Sequence, residues 1–240
     1  GFQPNSGFEL SGPGRVLVPA RGLTIDASET IATRINAVKD AWALVQEGKA
    51  DRLVTRSVMH ELAWALDTPE AVRAKALEAM LWDEQAEDDS ITLIEQMLPT
   101  EPGRMPVAVM VTAAADHRWS QCIPAIVRSL SRPIPGMPLA DRSEYAALKK
   151  IDPDRPVEQV VLSVFLEPQT DPGPAGLHLD MRTREGAWSL LGKLIPETDA
   201  RAQLLTTDLA ADEDGQLILA QLRTLHDDLG VLPATGEELR

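Results

Sequence analysis

From residue 28 onward, apolar residues return at steps of three and four, the period of a helix packed on one side. Ile31, Ile35, Val38, Trp42 and Val45 make the first stripe, with Ser28 as its expected N-cap and Gly48 as its stop. Leu53, Val58, Leu62, Ala65 and Leu66 predict a second helix from about Asp51 to Leu66. Thr68, Pro69 and Glu70 then mark a new start: a capping hydroxyl, a proline where its missing N–H costs nothing, and an acid at the positive end of the dipole. Only two or three residues separate these helices, which forces them antiparallel and makes residues 51 to 82 one helical hairpin.

The acidic run "DEQAEDDS" is expected as a loop ending in Ser90 as a cap, before a helix carrying Ile91, Ile94, Met97 and Leu98 up to Pro99. "MPVAVMVTAAADHRW" and "SQCIPAIVRSL" read as further buried helices. The Pro/Gly-rich breaks "SRPIPGMPLAD" and "EPQTDPGPAGLH" bracket two more, and "TREGAWSLLGKLI", "TDARAQLLTTDL" and "GQLILAQLRTLHDDLG" follow. Alternation of any length is confined to "RVLVPARGLTID", where Pro19 and Gly22 limit it to a short strand or an extended strap. The expected architecture is all-α, with about ten or eleven helices. A tether with an extended strap occupies residues 1–27, and a helical domain occupies residues 28–240.

Leu62 and Leu66, Asp67 at the turn, then Val72, Arg73, Ala76 and Ala79 resemble one HEAT repeat, a unit of two antiparallel helices. "CIPAIVRSL", with Pro124, is similar to the first helix of such a repeat, although "SRPIPGMPL" stands where the acid and the Val–Arg pair belong. "TREGAWSLLGKL" resembles a second helix, with Arg184, Ala187 and Leu190 in place, Thr183 for the usual valine and His178 at the position of the acid. The resemblance implies an α-α superhelix whose second helices line a concave face. It also implies that Asp67 accepts from amides of its own turn while Arg73 reaches the acid of a neighbouring repeat.

Charge narrows the partners. With 37 acidic and 23 basic residues the net charge is -14, which repels phosphate backbones and anionic headgroups, so nucleic acid is not expected. No apolar run reaches the roughly 18 residues of a membrane span. The single cysteine, Cys122, lies in an apolar helical stretch and is expected as a core thiol. Neither it nor the tether settles the compartment: an exported or lipid-anchored mature chain and a cytoplasmic one are both compatible.

Catalytic and metal signatures fall short. "HELAW" at His60 has Trp64 where a zinc helix needs its second histidine. "ADEDGQLILAQ" puts Asp212, Asp214 and Gly215 in calcium-loop register but has Ala210 and Gln221 at the first and last ligand positions. His117, His178 and His226 fall on separate elements, so no metal or cofactor is expected. The reading is a non-enzymatic scaffold that binds a basic or neutral protein, with Arg73, Glu78 and Trp82 on the best repeat and Trp119 and Trp188 as further binding candidates. The alternative is an enzyme, a lyase or hydrolase, on an α-α superhelical frame with its site in the Pro/Gly-rich loops.

Overall fold

The computed structural model describes residues 15–18, 23–26, 29–166, 183 and 186–195. Apart from one small ribbon, they are helices and their connections, as the periodicity predicts. The ribbon is the alternating segment: β1 (Arg15–Val18) pairs antiparallel with β2 (Leu23–Asp26), Arg15 opposite Asp26 and Val18 opposite Leu23. The chain divides into two units, Gly1–Met97 with Glu101–Ala113, and Leu98–Thr100 with Ala114–Arg240.

In the first unit, α1 (Ile31–Gln46) starts at Thr30, whose side chain accepts from the Thr33 amide at 3.2 Å. The cap is therefore Thr30 and not Ser28. Gly48, at φ +66°, takes the left-handed conformation that ends the helix, as expected. Helix α2 (Arg52–Trp64) is capped by Asp51, and α3 (Glu70–Leu81) begins directly after Pro69. These two pack as the expected hairpin, and α1 lies against α3.

The register of α2 differs from the expected stripe. Its buried residues are Thr55, Val58, Met59, Leu62 and Ala63, while Leu53 is 78% exposed and Leu66 69% exposed. Leu53 and Val58 are five residues apart, about 140° around a helix, so they cannot share a face. The acidic run also departs from expectation. After a short 3₁₀ turn, Glu84–Ala86, it is the first part of α4 (Glu87–Met97), and its carboxylates favour the positive helix end. Ser90 lies inside α4 and donates to Ala86 O at 2.8 Å; the cap upstream is Asp83, which accepts from the Gln85 amide.

Helix α3 is buried on nearly every side, with Val72, Ala76 and Leu77 fully inaccessible. Small side chains make this feasible because they let α1 and α2 approach closely. Arg73 is buried there too. It donates through Nε to Ala63 O at 2.9 Å and pairs with the buried Glu101 ahead of α5 (Arg104–Asp116). Glu101 also accepts from the Gly103 amide at 2.7 Å, and a Cβ on Gly103 would fall 2.8 Å from Glu101 Oε1, so this turn needs a glycine. Asp67, expected to take the acid's role at its own turn, is exposed.

In the second unit, α6 (Ile123–Ser131), α7 (Ser143–Ile151) and α8 (Val157–Leu166) pack on one another. Cys122, just ahead of α6, is buried as expected. The break 132–142 is anchored by Arg142, whose guanidinium donates to Ser129 O, Leu130 O and Arg132 O at 2.7 to 2.9 Å and pairs with buried Glu144. Residues 186–194 are helical, and Gly186 lies close against Ser131. Expectations for the second Pro/Gly-rich break and for everything from 196 onward, including the calcium-like loop and His226, lie outside the described residues.

Two stability outcomes follow from this packing. Ala76→Asp places a charge with no partner at a fully buried helix contact and is expected to destabilise by about 3 kcal/mol or more in urea unfolding followed by circular dichroism. Arg73→Ala strands Glu101 and should cost about 3–5 kcal/mol, whereas Arg73→Met combined with Glu101→Leu should restore most of the loss. A double variant as unstable as the single one would mean that the pair's value lies in its hydrogen bonds to the backbone.

Candidate functional site

The binding candidates drawn from the sequence do not converge. Arg73 and Trp82 are nine residues apart, about 180° around α3, so they face opposite ways. Arg73 points into the unit, whereas Trp82, at the end of α3, is 38% exposed. Glu78 shares the outer side of the helix with Trp82 and pairs with Lys75 at 2.6 Å. Trp119 is buried, with His117 stacked on it at 4.6 Å between centroids, and Trp188 is half-buried against Phe165 at 5.3 Å. Trp119 is thus a core residue of the second unit, and Arg73 is a structural cation. Neither offers a surface anchor.

A groove that sequence reasoning missed lies in the first unit. It opens between α2 and α4 with a volume of about 340 Å³. Leu53, Arg56, Ser57 and His60 form the α2 wall. Asp89, Thr92, Leu93 and Gln96 form the α4 wall, and Met80 of α3 closes the floor. The α2 positions recur at helical spacing, and Trp64 extends the row by one more turn. Trp64 is 38% exposed. Its indole N–H donates to His60 Nε2 at 3.0 Å, with ring centroids 6.0 Å apart.

Electrostatics in the groove are set by one cation held from below. Arg56 donates to Met80 O at 2.9 Å and to Ser90 Oγ at 3.2 Å, and lies 3.6 Å from Asp83 Oδ2 and 3.9 Å from Asp89 Oδ2. Burial pushes the Arg56 guanidinium below its usual range; Asp83 and Asp89 oppose that shift and Arg52 adds to it. Arg52 is itself paired with Asp83, so both cations of this wall are committed to a buried carboxylate. With Asp83 and Asp89 both set against Arg52 and Arg56, the charges of the groove balance. Asp89 is largely exposed, and Glu61, Asp88 and Glu95 flank the groove on the outer surfaces of α2 and α4. Partial desolvation raises the Glu95 carboxyl above its usual range.

Chemically, the arrangement is a channel of mixed character, with Leu53, Arg56 and His60 on one wall, Asp89, Thr92 and Gln96 on the other, and Met80 beneath. Among the described residues no group of three or more His, Cys, Asp or Glu side chains converges on a metal-sized site, and no helix is long and apolar enough to cross a membrane. The signal that could have revealed the groove is present in the sequence. Leu53, Ser57, His60 and Trp64 form a mixed row, and a mixed row belongs outside once Thr55, Met59 and Leu62 supply a better inner one.

Asp83 is the residue on which the α2 wall depends. Asp83→Leu should destabilise by about 3 kcal/mol, because it leaves Arg56 without its nearest buried carboxylate. Arg52→Ala should cost less than about 1 kcal/mol, since a third of that side chain remains in solvent. Equal losses in paired denaturation curves would contradict this ranking. We found no protein-family model that matches the chain, no curated protein similar to it and no solved structure similar to it.

Proposed function

We propose that this chain is a non-enzymatic protein-binding scaffold assembled from HEAT-like helical hairpins. The observation that carries the reading is exposed apolar surface. Among the described residues, the large apolar side chains left in solvent are Ile31, Leu53, Trp64, Leu66, Trp82 and Met105, and all belong to the first unit. Leaving Leu53 and Leu66 mostly in water forgoes part of the roughly 1.5–3 kcal/mol that full burial of a leucine supplies, which a partner covering them would recover.

The HEAT-like reading is supported by the hairpin α2–α3 and by Arg73. The arginine of the second helix reaches an acid at the following inter-helix turn, which is the relation that the repeat pattern implies. The acid there is Glu101, in the turn ahead of α5. A net charge of -14 favours a basic or neutral protein over nucleic acid or an anionic membrane.

Selection of displayed peptides and small domains against the full chain tests this. Binders are expected, and Trp82→Ala or Leu66→Ser should weaken a share of them by about tenfold while the circular dichroism spectrum stays unchanged. An absence of binders, together with turnover in a screen of hydrolase and lyase substrates, would replace the scaffold with an enzyme on the same frame. An unfolded Trp82→Ala protein would assign that residue to the core.

A further inference from the structure

We infer that the N-terminal end of α1 is a site for a small carboxylate, held by Arg34 and by the free amides of the first turn. The inference is independent of the scaffold reading. Among the described residues the buried arginines are Arg34, Arg73 and Arg142. Arg73 and Arg142 each face a buried acid, Glu101 and Glu144. Arg34 has no such partner. It is 6% exposed, its Nε is sealed from solvent without an acceptor, and among the described residues no acid or carbonyl meets the rest of its guanidinium. Arginine does not neutralise itself by losing a proton, so a guanidinium taken out of water calls for an anion beside it.

The position of Arg34 shows where that anion enters. It is the fourth residue of α1, on the face that Val38, Ala41 and Val45 bury, and a helical side chain leans back toward the N-terminus. The guanidinium is thereby carried toward the end where the Ile31 and Ala32 amides have no acceptor among the described residues, since the Thr30 side chain caps the Thr33 amide alone. Ile31, Ala32 and Thr33 are exposed, which leaves this end open to solvent. No acidic residue occupies the first turn to answer the helix dipole. Glu29, just ahead of the cap, is exposed, and Asp26 of β2 stands opposite Arg15 in the ribbon register. Two separate positive features thus meet at one helix end: the partial charge of free amides and the full charge of a buried arginine.

Charge and shape together select the ligand. One guanidinium and two amides match a single negative charge, and the planar fork of arginine fits the two oxygens of a carboxylate. A phosphate dianion would bring a second charge into a chain already at -14.

Thermal melting of the full chain, followed by circular dichroism in acetate, propionate, phosphate or chloride at equal ionic strength, tests the assignment. At about 100 times the dissociation constant, acetate and propionate should raise the melting temperature by about 5 °C over chloride, and phosphate by less. Arg34→Met should abolish the carboxylate response. Because it removes a buried charge that lacks a partner, it should also melt at or above the parent protein in chloride. Arg34→Lys, which keeps the charge and loses the fork, should retain a weaker response. An Arg34→Met protein that melts below the parent in chloride would show that the guanidinium already has an acid within the chain, and would overturn the site. A carboxylate response that survives Arg34→Met, equal melting in all four salts, or a response to phosphate alone would do the same.

Discussion

Arginines on the carbonyl ends of helices hold this protein together. A helix leaves its last carbonyls without intrahelical partners and carries partial negative charge there, so a buried end needs donors. In α2, α3 and α4 no basic residue occupies the last turn. For α2 and α3 the donors come from elsewhere in the chain: Arg73 to Ala63 O at the end of α2 and Arg56 to Met80 O at the end of α3. In the second unit Arg142 covers Ser129 O and Leu130 O at the end of α6, and Lys193 reaches Ser131 O. Each contact adds a donor at a helix end and pins one segment to another.

Burying guanidinium groups is expensive, and the chain offsets the cost with carboxylates placed beside them. Glu101 answers Arg73, Asp83 answers Arg52 and Arg56, and Glu144 answers Arg142. A buried pair of this kind adds little net stability against a well-packed apolar substitute, but removing one partner is strongly destabilising. Such pairs therefore act chiefly as registry devices. They make one arrangement of alanine-rich helices preferable to others that would bury a similar amount of apolar surface.

The same network shapes the candidate groove. Arg56 is drawn down onto Met80 O and Ser90 Oγ, and Asp83 and Asp89 together balance its charge and that of Arg52. The wall of the groove is thus set by the same contacts that tie α2 to the end of α3 and to α4.

By itself the sequence determined the helical class, the α2–α3 hairpin and the stop at Gly48, whereas Arg73, offered by the sequence as a binding residue, is buried. Those features rest on local rules, namely period, capping and the geometry of a short connection, which act within a few residues. It also marked Cys122 as buried, since its neighbours are apolar at helical spacing. Tertiary structure alone decided the rotation of α2, which turned Leu53, Trp64 and Leu66 outward and Thr55, Met59 and Ala63 inward. It likewise decided that the acid for Arg73 is Glu101, 28 residues away, and that Asp83 serves two arginines from the preceding hairpin arm. Helix α2 carries apolar side chains on more than one face, Leu53 and Trp64 as well as Val58, Met59 and Leu62, so more than one rotation satisfies the pattern. Which one wins depends on the neighbour it packs against and on where the buried charges find their partners.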